Sequence, residues 1–278
     1  MKKITVFLAA LAVAFSVNAQ ETTSKHSVAL DEVATSANIQ QSWIDNLRAE
    51  ILEGLIGTGR VEVVDVTTVE GLPSGEAERM EYLADNNAEC LLKCQFNSLS
   101  TTKKVDDNGK YSWTTKANYT LTLMDLETGG VKTTKTYEEF GYSTDSETES
   151  IKSAVGDASN RLTRFVEEAF PLSANVKALD KIHPKKGVET IYITIGSNAG
   201  VQPGQPFDAF VETDIAGEII TKKIEKCNVK VKEVVSAGLS LASVSGKGAV
   251  ELQKAFENGE KVILVSRPKL LDSLTDVL

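Results

Sequence analysis

Ile39, Trp43, Ile44, Leu47, Ile51 and Leu55 recur at three- and four-residue spacing, the period of a helix with one buried face. The spacing predicts a helix that ends at Gly57 and Gly59, because glycine accepts the left-handed backbone on which helices often finish. SVALDEV, Ser27 to Val33, reads as a strand before it, and RVEVVDV reads as another after it. SGEAERMEYLAD then offers Ser74 as a cap and Ala77, Met80, Leu83 and Ala84 as an apolar face.

The period now drops to two. Cys90, Leu92, Cys94 and Phe96 alternate with Leu91, Lys93 and Gln95, and Tyr119, Leu121 and Leu123 alternate with Asn118, Thr120 and Thr122. Between the two runs DDNGK places Asn108-Gly109 at the centre of a hairpin turn. Counting back from a two- or a four-residue turn puts both apolar sets on one face. A third strand, VKTTKTYEEFGY, follows the turn Thr128-Gly129-Gly130. One helix closes this part: Ser146 and Glu149 form a capping box, and Ile151, Val155, Ala158, Leu162, Phe165 and Val166 make one stripe before Pro171. The order of elements predicts an α/β arrangement, a mixed sheet with helices on one face.

From Val176 the pattern changes to short strands, ETIYITIG, QPFDAFVE, EIITKKI, CNVKVKEVV and LSLASVS, with one helix, GAVELQKAFENG, before the closing strand EKVILVS. This predicts a small all-β, partly open barrel. The expected organisation is a signal peptide over 1–19, an α/β domain over 20–173 and the barrel domain over 174–278.

Two glycine-rich stretches invite a phosphate-binding reading, which needs a strand before the loop and a helix after it. In GLIGTG the order is reversed, so Gly57 and Gly59 end a helix. In ITIGSNAGVQPGQPF, Gly204 leads into PFDAFVE, whose alternation is that of a strand. Gly196, Gly200 and Gly204 therefore turn the chain between strands.

The first residues, MKKITVFLAALAVAFSVNAQ, combine Lys2 and Lys3, an apolar core, and Val17 and Ala19 before a cut at Gln20. That is the pattern of a secretory signal peptide, and its apolar run falls short of the roughly 20 residues of a membrane span. No cysteine lies at the cut to carry a lipid. Losing two of 30 basic residues against 39 acidic ones takes the formal charge from −9 to −11. Such a chain has no electrostatic footprint for nucleic acid, and no other stretch is apolar enough to be an integral span.

Cys90, Cys94 and Cys227 are odd in number. Four residues of strand separate the first two by about 13 Å, too far for a bond, so buried thiols are expected. His26 and His183 lie far from any cysteine, which argues against zinc. No G-x-S-x-G, phosphate-loop lysine or H-E-x-x-H is present. The pairs Asp31-Glu32 and Glu138-Glu139 read as solvated faces in so acidic a chain. The reading is of a protein that is not an enzyme and needs no cofactor or metal.

One patch could hold a partner. Tyr111 and Trp113 lie near the hairpin tip, opposite Thr102 and Lys104, and an aromatic among Thr and Lys is the kind of residue that anchors interfaces. Tyr111, Trp113 and Lys104 are the candidate partner-binding residues. The alternative is that Trp113 folds back onto its own domain.

SVALDEV, the helix ending in LIGTGRVEVVD, and YLADNNAECLLKCQF with its hairpin resemble the exported domain shared by the curli secretion lipoprotein, the penicillin-binding-protein activator lipoproteins and the TolB N-terminal domain, over about residues 27 to 170. The later stretch, strand, Gly, loop, Gly-Val, Pro-Gly and strand, is similar to the C-terminal domain of the flagellar-assembly T-ring protein. The chain departs from the lipoproteins in lacking the acylated cysteine and from pore formers in its charged hairpin tip. The resemblance implies an exported, periplasmic or envelope-associated assembly or accessory factor that contacts an envelope protein or its own copies. The alternatives are a soluble periplasmic module that holds a glycan or small ligand between domains, and a hydrolase with unrecognised residues.

Overall fold

The computed structural model describes residues 25–215 and 218–268; the expected signal peptide lies outside them. The chain runs β1 (His26–Thr35), α1 (Gln41–Gly57), β2 (Val61–Asp65), α2 (Glu76–Asp85), β3 (Cys90–Val105), β4 (Tyr111–Asp125), β5 (Val131–Ser143), α3 (Glu147–Gly156) and α4 (Ala158–Ala169). It continues with β6 (Ser173–His183), β7 (Gly187–Ile193), β8 (Pro206–Ile215), β9 (Glu218–Lys223), β10 (Asn228–Ser236), β11 (Leu239–Ser245), α5 (Ala249–Glu257) and β12 (Lys261–Ser266).

The first sheet has the order β2-β1-β3-β4-β5. β1 is parallel to β2 and β3, while β3, β4 and β5 are antiparallel, so the sheet is mixed as expected. Leu47, Ile51 and Leu55 of α1, Ile151 and Val155 of α3, and Leu162 and Phe165 of α4 pack on Leu92, Cys94, Phe96, Tyr119 and Leu121. α2 does not join them. It covers the opposite face, where Met80, Leu83 and Ala84 meet Ala29, Leu91 and Met124. The reason is local: Cys90, Leu91 and Leu92 are all fully buried, and successive strand residues point to opposite faces, so Leu91 needs a cover of its own. α2 is capped at Gly75 rather than Ser74, and Ala77 is exposed.

The single helix expected after Ser146 is two. Ser146 Oγ accepts from the Glu149 N–H at 3.1 Å, one half of the expected capping box. The other half does not form, because the Ser146 N–H donates to Ser143 Oγ at 3.3 Å and the Glu149 carboxylate pairs with Lys152. The chain breaks at Asp157, between α3 and α4. Gly156 is a poor helix former and Asp favours caps. The apolar stripe survives the break, with all six of its residues buried.

The hairpin register follows the alternation up to one point. Leu92 faces Leu123, Cys94 faces Leu121 and Phe96 faces Tyr119. At Asn97 a β-bulge shifts the pairing by one residue, so Ser98 faces Asn118, Lys103 faces Trp113 and Val105 faces Tyr111. Asn97 Nδ2 donates to Asn118 Oδ1 at 2.8 Å and to Thr120 Oγ1 at 2.9 Å, which holds the bulge. The expected partners of Trp113 and Tyr111, Thr102 and Lys104, are each displaced by that extra residue.

Tyr119 is fully buried, its ring 5.5 Å from that of Tyr137, and its hydroxyl has no hydrogen-bond partner among the described residues. A buried unpaired hydroxyl costs about 1–3 kcal/mol. Tyr119→Phe is therefore expected to match the parent or exceed it by about 1 kcal/mol in urea unfolding; a loss greater than that would show a hidden partner for the hydroxyl.

Arg48 of α1 grips Asp65 at the end of β2 through Nη1–Oδ2 at 3.0 Å and Nη2–Oδ1 at 2.6 Å, and Asp65 also accepts from the Thr67 N–H. The guanidinium's hydrogen bonds, and then those of Thr67, hold the Asp65 carboxyl down from the ordinary 3.8 to about 2. A depressed folded-state pKa stabilises above the unfolded value and loses that stability as the pH falls through the folded one. Stability is expected to drop from about pH 4 towards 2, and Asp65→Asn should flatten that slope in urea titrations. An unchanged slope would remove Asp65 from the account.

The second sheet has the order β10-β11-β7-β6-β12-β8-β9. The expected partly open barrel is closed: Val229 of β10 pairs with Phe207 of β8 and Lys230 with Pro206, leaving β9 outside as an extension of β8. Alternation within each strand carries no information on whether the first and last strands meet. Val188, Ile191, Phe207, Val229, Ala242, Leu252 and Leu264 fill the interior. β6 was not legible, because Lys177, Asp180 and Lys181 break its alternation. All three cysteines are free and buried, and burial pushes the Cys94 thiol up to about 12.

The glycine stretch after β7 turns the chain, as expected. Gly200 and Gly204 take φ of +72° and +85°. Gly200 also sits against the first sheet: a Cβ there would lie 2.5 Å from the Gly59 carbonyl oxygen. Beside this contact the Arg60 side chain is buried. Its Nη2 donates to Gln205 Oε1 at 2.8 Å and Glu167 Oε1 at 3.3 Å, and its Nη1 to the Phe170 carbonyl at 3.3 Å.

Candidate functional site

β5 pairs with β4 only as far as Ser143 opposite Trp113. Beyond that point β3 and β4 continue alone as a two-stranded ribbon closed by the turn after Val105. In the turn the Gly109 N–H bonds the Asp106 carbonyl and Gly109 has φ +77°, with Asp106 Oδ1 accepting from the Asn108 and Lys110 N–H groups. The tip is thus well organised without a core beneath it.

The structure brings Tyr111 and Trp113 together, with ring centroids 6.1 Å apart. Lys103 lies over them, its Nζ 3.8 Å from the Tyr111 centroid and 5.3 Å from that of Trp113, within cation–π range. Lys104 faces Ser112 instead, so the alternation of side chains puts it on the other face. Lys103 is the residue that reading the sequence missed, because the bulge at Asn97 is not visible in it. Tyr111 is 50% exposed, and Trp113 is half-buried.

Trp113 is held from one side by the backbone. Ser150, fully buried on α3, places its Oγ 3.2 Å from the Trp113 carbonyl, 3.1 Å from the Gly141 carbonyl and 2.9 Å from Thr115 Oγ1. α3 therefore fixes the base of the ribbon. On the opposite face of the same sheet end, β5 exposes Phe140 at 58% and Tyr142 at 62%. Lys116 lies 5.8 Å from the Phe140 centroid and pairs with Glu138 at 2.7 Å. Four aromatics gather at this end of the sheet, two on each face.

The acidic pairs divide. Glu138 is solvated, but Glu139 is buried and gripped by Arg161, whose Nε donates at 2.6 Å; its place opposite Ala117 on the helix-covered face explains the difference. Asp31 accepts from Arg79 at 2.8 Å beside a cleft of about 420 Å³ under α2. Among the described residues no group of three His, Cys, Asp or Glu side chains could hold a metal, and no helix is long and apolar enough to cross a membrane. Where the two sheets approach, the Arg60 guanidinium meets Glu167 and Gln205.

No protein-family model matches the chain, and no curated protein matches it. Several solved structures are similar to about half of it. One is a PelC dodecamer from Paraburkholderia phytofirmans, 15% identical, covering 51% of this chain and 89% of that one at a TM-score of 0.33. Another is lipoprotein GNA1162 from Neisseria meningitidis, 13% identical, covering 49% and 97% at 0.35. A third is the LpoB C-terminal domain from Escherichia coli, 11% identical, covering 44% and 87% at 0.30. TM-scores of this size assign neither a family nor an activity to the chain.

Proposed function

We propose that this is an exported, non-enzymatic protein of the cell envelope, built from an α/β domain over 20–173 and a barrel domain over 174–278, that acts through protein contacts as an assembly or accessory factor. One observation carries the reading: the ribbon that outruns its sheet ends in a cluster of exposed Lys103 and Tyr111 beside half-buried Trp113. Large aromatics and cations at a rigid, projecting position supply contact area at little cost in ordering. The signal-peptide pattern and the resemblance of residues 27 to 170 to envelope accessory proteins support a place outside the cytoplasm.

The test is capture from intact cells with a C-terminal tag and a crosslinker, in the parent and in the Tyr111→Ala/Trp113→Ala variant. The parent is expected to retain one stoichiometric envelope protein, or further copies of itself, and the variant to lose it while its unfolding free energy stays within about 1 kcal/mol. Recovery of the parent as an uncomplexed soluble monomer would overturn the proposal and turn the search to ligands. A stability loss of about 3 kcal/mol in the variant would instead make the aromatics structural.

A further inference from the structure

The end of the barrel away from the first sheet brings together the β6–β7 turn, the end of β11 and the start of α5. Gly187, at the start of β7, lies so close to α5 that a Cβ on it would be 2.6 Å from the Val250 nitrogen. These elements surround an open cleft of about 590 Å³. Lys185 and Lys186 line it from the β6–β7 turn, and Lys247 lines it from the loop Ser245-Gly246-Lys247-Gly248 that joins β11 to α5. One carboxylate, that of Glu189, shares the lining. All three lysines are exposed, and among the described residues none of their ammoniums forms an ion pair within 4.0 Å. The adjoining cleft shares Lys247 but carries two carboxylates, Glu251 and Glu260, and its Lys222 reaches Glu251 at 3.6 Å.

In a chain with 30 basic and 39 acidic residues, three unpaired ammoniums around one cleft reverse the local charge. Their mutual repulsion is relieved by an anion placed between them. The loop that presents Lys247 is pinned: a Cβ on Gly246 would lie 2.2 Å from the Lys226 carbonyl oxygen, and one on Gly248 would lie 2.6 Å from that of Glu225. Lys247 is thus offered from a fixed backbone rather than from a swinging one.

We infer that this cleft binds a phosphoryl group. An ammonium is a compact point charge suited to tetrahedral oxyanions, and a phosphate near −2 meets three cations better than a single carboxylate does. The first turn of α5 carries Glu251, which offsets its helix-end charge, so the lysines hold the ligand. This site is independent of the hairpin tip and would stand if the protein-contact reading failed.

The test uses the isotopically labelled protein and sodium pyrophosphate, with sodium chloride at matched ionic strength as control. Saturable amide shifts at Lys186, Ser245 and Lys247 are expected, with a dissociation constant below about 1 mM. The K185A/K186A/K247A variant, with its heat unfolding unchanged, should bind at least about tenfold more weakly. Co-sedimentation with phosphatidylglycerol vesicles but not phosphatidylcholine ones, lost in the variant, assigns a lipid headgroup as the source of the phosphate. Pyrophosphate shifts without co-sedimentation assign a soluble phosphate. Shifts that sodium chloride reproduces, or an affinity that the triple variant keeps, overturn the site.

Discussion

Arg60→Ala is expected to lower the unfolding free energy by about 3–5 kcal/mol, the cost of removing one partner from a buried ionic cluster. The Arg60 side chain is 2% exposed and that of Glu167 is 7%. The guanidinium also donates to Gln205 Oε1 and to the carbonyls of Glu167 and Phe170. Gln205 in turn donates to the Arg267 carbonyl at 2.7 Å, so the cluster joins the start of β2, α4, the start of β8 and the end of β12. Truncation takes a hydrogen-bond donor from several buried oxygens at once. Replacing both charges, Arg60→Met with Glu167→Leu, should recover most of the loss, because apolar groups of similar volume leave no charge without its counterpart. Urea unfolding followed separately by the fluorescence of Trp43 and Trp113, which reports the first domain, and by amide NMR signals of the barrel strands should also cease to coincide in Arg60→Ala. A single coincident transition with a loss under about 1 kcal/mol would show that the sheets are held by something else.

The alternation of apolar residues was enough to place most strands and helices, since burial of one face is written into the period of each element. What it could not carry was pairing. The bulge at Asn97 adds one residue to β3, and the polar residues around it alternate as they would without it, so Lys103 rather than Lys104 meets the aromatics. The second face of the first sheet was half legible: Leu91 is apolar in the polar set, and its burial under α2 is the outcome. β6 has no clean period, and the closure between β8 and β10 joins segments whose patterns say nothing of each other. The lysine cleft is a further case. Lys247 lies some sixty residues along the chain from Lys185 and Lys186, and only the barrel's strand order makes them neighbours.

Gly141→Val is expected to cost about 3 kcal/mol, at the upper end of what overpacking does. A Cβ on Gly141 would lie 1.9 Å from the Ser150 carbonyl oxygen, 2.5 Å from the Ala154 nitrogen and 3.0 Å from the Ala154 Cβ. Two of those atoms are helix backbone, so no rotamer change relieves the clash; α3 must lift from β5. Lifting it loosens the burial of Ile151, Ala154 and Val155 and draws Ser150 Oγ away from the Trp113 and Gly141 carbonyls. The effect therefore reaches the base of the hairpin tip through Ser150. Ser150→Ala separates the two consequences: it removes the hydroxyl but keeps the packing, and should cost only about 1–2 kcal/mol. If the tip works as a contact surface, Gly141→Val should weaken capture of the partner more than Ser150→Ala does, at temperatures where both remain folded. A loss below about 1 kcal/mol for Gly141→Val in urea unfolding would mean that α3 sits farther from β5 than these distances place it.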